Sequence, residues 1–570
     1  MNLNSFNRTV SLLLRLTDTQ IATTPIVPFV PQKPAPEVRA PLMPLARCTP
    51  ESAGISSEYL NEYVLRLYNE KAAAQQTLMV LRDGKVLCEA GFRGQSTHVW
   101  KNLYSASKSI TAIAIGFLMD EHKLKATDKV VDILSKYVTP LNKIRLGELT
   151  VKHLLTMTST VMFNEPLAVT ESDWIKSFFN ATLKGKMGKT FNYNSLNSYM
   201  LSVIVREVSG ESMTEFLKPR LFEPLGITDY FWECCMKGYE KGGWGLYMKP
   251  EDLAKIGVLI QNRGLWNGHR IISSRFIDAA TKRQVVTPEE CGNFDYGYQV
   301  WVGKNYNSFL FNGMTGQNLL CFKDNGIMVM SNAGNGDVFQ QNKFFDITEE
   351  FFNKDFCSTL PENPNEEKQL KKTLSDVFKP KTKMPFDLRS VLSGKKYFTR
   401  EKHSVSVSLY PTFLQVVQNN YSAGTKSISF DTQNGSFFMS YEENDETYCF
   451  EIGFKKPVMT IISIHGEKCA VNVLGRFAFD EDERRVFIIK IDFVETPCSR
   501  IIKAFYDDGN VTFEFSETPG EELLRNGSDL LGKNFKDNFI SAVALAKLDM
   551  DFVYYKMQRL FAPVLKGEEL

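Results

Sequence analysis

Nowhere in its 570 residues does the chain run through the roughly 18 consecutive apolar residues that a membrane-spanning helix needs, so no membrane span is expected. Charge of one sign is lacking too. The 67 Lys and Arg are matched by 66 Asp and Glu, which leaves no field to draw in nucleic acid, an anionic membrane or an acidic partner. Histidine is scarce: His98, His122, His153, His269, His403 and His465 are all there are, and none sits in a metal-ligand or triad spacing. The ten cysteines are scattered without a CxxC pair, which fits free thiols in a reducing cytoplasm; only the adjacent Cys234-Cys235 suggests a disulfide. Neither G-x-S-x-G nor G-x-x-x-x-G-K-[ST] occurs, which removes the nucleophile elbow of an α/β-hydrolase and the phosphate cradle of a P-loop. No metal and no cofactor is expected. The start has a short Leu-rich run, broken by Arg15 and without a small-residue cleavage site, so a cytoplasmic location is the expectation and export the lesser alternative.

What the chain does have is bulk: 43% of its residues are hydrophobic, enough at this length for two or more domains. Residues 1–45 read as an N-terminal arm, because the closely spaced prolines of 24–44 remove donors and fix an extended backbone. Residues 46–355 read as one mixed α/β domain. It opens with an amphipathic helix from Ser57, and two apolar strands follow around Asp83-Gly84. A helix beginning near Ser105 is apolar on nearly all sides and therefore central. Helical segments follow at 150–158, 195–209 and 250–262, then strands through 296–332 and a helix at 338–353. The charged, proline-flanked stretch 356–385 has the composition of a linker. From 386 to 570 short alternating strands, among them FLQVVQ (413–418), predict a β-rich accessory domain with a last helix at 538–560.

Ser105-Ala106-Ser107-Lys108 carries the chemistry. A serine and a lysine three residues apart share one face of a helix, and a desolvated lysine can take the proton that makes a hydroxyl nucleophilic. The plainer alternative is a helix cap followed by a snorkelling lysine. The other S-x-x-K match, Ser393 to Lys396, reads as a solvated turn. Tyr193-Asn194-Ser195 precedes a helical run, where a tyrosine can share the proton with Lys108 and pass it to a leaving group. Its duplicate, Tyr306-Asn307-Ser308, falls between strand patterns and reads as a hairpin turn. Gly313-Met314-Thr315-Gly316-Gln317 reads either as an edge strand offering a backbone N–H to an oxyanion, with Ser105 supplying the other, or as a glycine turn in a hairpin. Trp244, Tyr247, Tyr298 and Trp301 lie in segments that can edge a cleft or fill a core.

Taken together, Y-S-A-S-K-S-I, Y-N-S and G-x-x-G-Q resemble the motifs of the beta-lactamase-related serine hydrolases: class C beta-lactamases, D-alanyl-D-alanine carboxypeptidases, family VIII-like esterases and 6-aminohexanoate-dimer hydrolases. The likeness runs over about 46–355 and includes TPESAGISS (49–57), FEPLGITDYFW (222–232), GGWGLYMKPEDLAKIGVLI (242–260), LWNGHRIIS (265–273) and YGYQVW (296–301). The aminohexanoate-hydrolase branch is nearest in motif style. The resemblance implies an α+β fold, an antiparallel sheet sandwiched by helices with an all-helical insertion, to which the β-rich C-terminal domain is added. It also implies Ser105 as nucleophile, Lys108 and Tyr193 as the acid/base pair, Gln317 as the second oxyanion donor, with Thr315 and Gly316 on the substrate strand.

Departures from that pattern bear on substrate. Met314-Thr315-Gly316 carries no cation for a substrate carboxylate, and Ser195 stands where beta-lactamases commonly have Asn. Both point away from penicillin-type substrates and toward a small ester or amide. Ser195, Trp244, Tyr247 and Tyr298 are the further candidates for substrate contact. Acyl transfer, or D-Ala peptidase or beta-lactamase action, would use the same intermediate, and an inactive binding protein on this fold is the alternative of another class. The oligomeric state is left open by the sequence.

Overall fold

The computed structural model describes residues 27–162, 170–336, 343–380, 384–399, 407–443, 445–507, 510–520 and 562–569. They fall into two compact units, the first within 37–378 and the second comprising 27–36 and the described residues from 379 onward, with 170–171. No helix among the described residues is long and apolar enough to cross a membrane.

The first unit is a sheet with helices on both faces. Its helices of use here are α1 (Ser57–Asn69), α2 (Ser107–Asp120), α3 (Ser195–Ser209), α4 (Pro250–Gln261), α5 (Lys343–Phe352) and α6 (Pro364–Phe378). Its strands are β1 (Gln75–Arg82), β2 (Lys85–Gly91), β3 (Lys101–Asn102), β4 (Tyr230–Trp232), β5 (Leu246–Met248), β6 (Leu265–Trp266), β7 (His269–Arg270), β8 (Phe294–Tyr296), β9 (Trp301–Gly303), β10 (Ser308–Gly313), β11 (Gln317–Phe322) and β12 (Ile327–Ala333). Seven of them form one antiparallel sheet in the order β2-β1-β12-β11-β10-β9-β8. The first hairpin closes on Asp83 and Gly84, both at positive φ, the pair of left-handed residues a two-residue turn needs to match strand twist.

Helix α1 starts on the Ser56 cap and buries Leu60, Tyr63, Val64 and Leu67, an i, i+3, i+4, i+7 stripe laid on one face of the sheet with α5 and α6. On the other face α4 packs against β1, β11 and β12. Gly257 allows that approach, since a Cβ there would come within 2.7 Å of both Leu319 and Met328. Between β2 and β8 the chain builds α2, short helices, α3, α4 and two small antiparallel sheets, β3-β5-β4 and β6-β7. The segment read as a linker is helical over Pro364–Phe378 and buries Leu370, Thr373 and Val377 against α1 and β2. Its charged composition describes the outer face of an amphipathic helix equally well.

The second unit is a single antiparallel sheet of ten strands: β13 (Lys395–Thr399), β14 (Thr425–Gln433), β15 (Ser436–Glu443), β16 (Glu446–Glu451), β17 (Val458–Ile464), β18 (Glu467–Phe479), β19 (Arg485–Phe493), β20 (Ser499–Asp507), β21 (Asn510–Thr518) and β22 (Val564–Glu569). The order is β16-β15-β14-β13-β22-β21-β20-β19-β18-β17, and the two end strands pack against each other, so the sheet curls around one core. Alternation is strict on β15, where Phe437, Met439, Tyr441 and Glu443 point inward.

FLQVVQ, expected as a strand, is instead helix α7 (Thr412–Gln418). Its apolar residues at 413, 414, 416 and 417 suit a helical period better than alternation. The Glu517 carboxylate accepts from the N–H groups of Thr412 (2.8 Å) and Phe413 (3.2 Å), satisfying donors that a helix start leaves open. Residues 27–36 of the arm belong to this unit: Lys33 is buried against Glu495 (2.8 Å) and the Gln32 N–H donates to Glu467 (2.9 Å). The helix expected at 538–560 lies outside the described residues.

Candidate active site

Helix α2 is buried from Ser107 through Leu118, as its apolar composition predicts. Immediately before it, Tyr104–Ala106 form a single 3-10 turn, entered through Tyr104 at φ 44°, a left-handed conformation that costs a bulky residue energy and commonly marks a functional turn. From 101 to 118 Ser105 is the one residue not classed as buried. A hydroxyl thus opens toward solvent at the head of a buried helix.

One turn on, Lys108 is 1% exposed, and its ammonium donates to Ser105 Oγ (2.9 Å), Ser195 Oγ (3.0 Å) and the Gly243 carbonyl (2.8 Å). The carbonyl can only accept, whereas each hydroxyl can accept or donate. The same shell therefore suits both protonation states. A charged lysine gives three protons to three oxygens; a neutral one gives two and takes the third contact through its lone pair from a hydroxyl. Gly243 lies so close that a Cβ on it would fall 2.9 Å from the Ser195 carbonyl and 3.5 Å from Lys108 Nζ, and Thr111 Oγ1 donates to the neighbouring Gly242 carbonyl (2.7 Å).

The Tyr193 ring faces this ammonium, with Lys108 Nζ 5.0 Å from its centroid. It is held from behind by Trp301, stacked at 5.5 Å, and by the edge of Tyr296 at 6.2 Å. The loop is pinned on either side of the tyrosine: Asn192 Nδ2 (3.1 Å) and Asn194 Nδ2 (2.8 Å) both donate to the Val161 carbonyl, and Asn194 Oδ1 caps α3 by accepting from the Leu196 N–H. Tyr306, in the duplicate motif, lies in the β9–β10 hairpin, as expected.

Gly313 to Gln317 form the turn of the β10–β11 hairpin, and these strands are in the middle of the sheet, not at an edge. Thr315 at φ 64° and Gly316 at φ 96° make the reversal, so the hairpin alternative describes the backbone. The turn nevertheless reaches the serine: the 3-10 turn of Ser105 packs on β10 and β11, and a Cβ on Gly313 would come within 2.2 Å of the Leu103 carbonyl. The Thr315 side chain is fully buried, its hydroxyl donating to the Met314 carbonyl. The Gln317 amide donates to the Ala333 carbonyl (2.7 Å) and accepts from Asn332 (2.8 Å).

The structure therefore brings Ser105, Lys108, Tyr193 and Ser195 together, with β10 and β11 packed on the 3-10 turn that carries Ser105. Trp244 adjoins Gly243, is partly exposed, and packs on Trp174 with centroids 5.1 Å apart. Tyr247 does not join them: it is fully buried in the small β3-β5-β4 sheet with its hydroxyl on Glu233 (3.1 Å). Tyr298 is 8% exposed and packs against Phe276. Both are core residues, the alternative always open to aromatics in such segments.

Two groups went unread in the sequence. One is the Gly243 carbonyl, for which the glycine pair at 242–243 was the available signal. The other is Gln299, at φ 56°, whose amide holds the Leu154 carbonyl (2.8 Å) and Ser198 while its own carbonyl accepts from Ser109 (2.8 Å), joining α2 to α3. Among the described residues no group of three His, Cys, Asp or Glu side chains could hold a metal ion, and the cysteines, Cys234 and Cys235 included, are free thiols.

Residues 68–346 match the Beta-lactamase family profile. PbpX of Bacillus subtilis (strain 168), named as a penicillin-binding protein, is 28% identical over 171 residues, covering 28% of this chain and 42% of its own length. The 6-aminohexanoate-dimer hydrolase of Paenarthrobacter ureafaciens is 26% identical over 272 residues, covering 42% of this chain and 68% of that enzyme. Among solved structures, the penicillin-binding protein homologue from Pyrococcus abyssi, an octamer, superposes with a TM-score of 0.43 at 16% identity over 80% of this chain and 97% of that one. Residues 68–346 of the first unit are thus similar to the Beta-lactamase family.

Proposed function

We propose that this domain is a serine hydrolase that works through an acyl-enzyme on a small ester or amide, with Ser105 as nucleophile and Lys108 and Tyr193 moving the protons. The observation that carries the reading is the buried Lys108 ammonium 2.9 Å from a partly exposed serine hydroxyl, in a shell of hydroxyls and a carbonyl that fits it charged or neutral. In its neutral form Lys108 takes the Ser105 proton as Oγ bonds to the substrate carbonyl carbon. The oxyanion of the tetrahedral intermediate is met by the backbone N–H groups of Ser105 and Gln317. The leaving group departs with a proton delivered by Tyr193, which Lys108 replenishes. Water then enters as Ser105 did, giving its proton to the same pair, which returns it to Ser105 Oγ as the bond from Oγ to the acyl carbon breaks and the acid is released. An alcohol or amine in place of water would give acyl transfer.

A fluorophosphonate probe, followed by mass spectrometry of the peptide 102–108, tests the nucleophile. Label on Ser105 that disappears in Ser105→Ala and Lys108→Ala supports an activated serine; a folded wild type that takes no label would favour a binding protein on this fold. Nitrophenyl esters, nitrocefin and short amide oligomers then separate esterase, beta-lactamase and amidase, with ester turnover expected well above that of nitrocefin.

A further inference from the structure

The Gly243 carbonyl that meets Lys108 belongs to the irregular stretch between β4 and β5, and that stretch is held in two ways. First, it is bonded to the helix that carries the site. The Gly242 carbonyl accepts from Thr111 Oγ1 (2.7 Å), the Leu246 N–H donates to Ser107 Oγ (3.4 Å), and the Leu246 carbonyl accepts from the N–H of Leu103, just ahead of the Ser105 turn (2.8 Å). Second, it is folded over one residue, Glu233. The Glu233 carbonyl accepts from the Lys241 N–H (2.9 Å) and its N–H donates to the Gly245 carbonyl (2.9 Å), so the residues on either side of Gly242-Gly243-Trp244 are both tied to it. Its buried carboxylate accepts from the Lys241 ammonium at one end and from the Tyr247 hydroxyl (3.1 Å) beyond the other. Gly245, at φ 80°, lies directly on that side chain: a Cβ there would come within 2.9 Å of Glu233 Cβ and 3.0 Å of its Oε2.

Resting on the reading of Lys108 as the base that activates Ser105, we infer that Glu233 is a positioning residue for that lysine, acting through the Gly243 carbonyl. A neutral Lys108 has two N–H groups and one lone pair. The carbonyl can only accept, so it fixes one N–H and leaves the lone pair only the hydroxyls of Ser105 and Ser195 to meet. With the carbonyl displaced, Nζ can turn its lone pair toward the vacated side, where it takes no proton from Ser105.

The test follows phosphonylation of Ser105 by a fluorophosphonate in the full chain, in which Oγ displaces fluoride and Lys108 takes the proton. The final extent of labelling counts the folded molecules, whereas the rate constant reports how well the lysine is aligned. In Glu233→Ala the rate constant is expected to fall about 10- to 100-fold with labelling still complete, the scale on which a small misplacement of a catalytic group acts. On a short-chain nitrophenyl ester kcat should fall by a similar factor while KM stays within about twofold. Lys241→Met keeps the stem and removes the ion pair; it should show the same split with a smaller fall, because Tyr247 still holds the carboxylate, and it decides the question if Glu233→Ala does not fold. A wild-type rate constant in the folded variants, or a loss confined to the final extent of labelling, overturns the inference. A wild type that takes no label on Ser105 removes the underlying reading, whereas a labelled wild type matched in rate by the folded variants removes this inference alone.

Discussion

Lys108 in the first unit and Arg500 in the second are both buried almost completely, and the two are held in opposite ways. Lys108 in the first unit, 1% exposed, is met by two hydroxyls and a carbonyl. Arg500 in the second, 0% exposed, is met by the Glu517 carboxylate at 3.1 Å and the Tyr410 carbonyl at 2.9 Å, and Glu443 feels its charge. A guanidinium does not give up its proton at any ordinary pH, and a carboxylate fixes its charge, so the Arg500 arrangement holds geometry and nothing else. An ammonium can give up its proton, and hydroxyls can reverse their hydrogen bonds to follow it. Burial alone does not mark a catalytic cation. What distinguishes Lys108 is a reversible shell, one member of which opens to solvent.

That contrast predicts that the two cations fail differently. Ser105→Ala and Lys108→Ala should each lower kcat/KM on a short-chain ester by about 10³-fold or more, and Ser105→Ala should leave the thermal midpoint close to wild type. Retained ester turnover in Ser105→Ala would remove Lys108 from the contrast altogether. Tyr193→Phe keeps the ring on Trp301 and loses only the hydroxyl, so a fall of about 10²-fold in kcat is expected with the fold intact. Full activity in that variant would leave all proton movement to Lys108. Arg500→Ala should behave the other way, destabilising the second unit by about 3–5 kcal/mol in urea unfolding, because Glu517 is left buried without its partner. Replacing both members by Met should restore most of that loss. An Arg500→Ala protein as stable as wild type would show that Glu517 is compensated by its contacts to Thr412 and Phe413 alone.

The contrast also explains what could be read in advance. Ser105 and Lys108 were legible because their link is local: a three-residue spacing at the head of an apolar run specifies both the shared face and the burial. Tyr193-Asn194-Ser195 could be located by its position before α3, but the contact of Ser195 with Lys108, like that of the Gly243 carbonyl, is made across 87 and 135 residues and leaves no periodic trace. The 313–317 motif shows a subtler limit. Its glycines were visible, yet a hairpin turn and an edge strand have similar composition, and only the pairing of β11 with both β10 and β12 decides between them. Arg500 was not singled out at all. An arginine in an alternating strand reads as an outward residue until its partners, Glu517 on the next strand and Tyr410 before α7, are brought inward beside it.

Glu443 supplies the smallest effect expected and the finest test of the contrast. It is fully buried on β15, accepting from the Leu409 N–H (3.0 Å), Ser408 Oγ (3.3 Å) and the Ser422 side chain, and faces Arg500 on β20, Tyr441 on its own strand and Tyr448 on β16. Burial pushes its carboxyl up to about 7, against the pull of those hydrogen bonds and of Arg500. A raised folded-state value means that the native protein holds this proton more tightly than the unfolded chain. Its stabilising contribution is therefore complete below the unfolded carboxyl's ordinary value, near 4.3, and is lost as pH rises through about 7. The second unit should thus lose on the order of 3 kcal/mol between pH 4.5 and 7.5 from this group. In Glu443→Gln, which stays neutral, urea midpoints measured across that window should lose this fall. A wild type whose midpoint is flat over the window would mean that Glu443 is ionised throughout, held by Arg500 as firmly as Glu517 is, and the second unit would then bury two fixed carboxylates on one guanidinium.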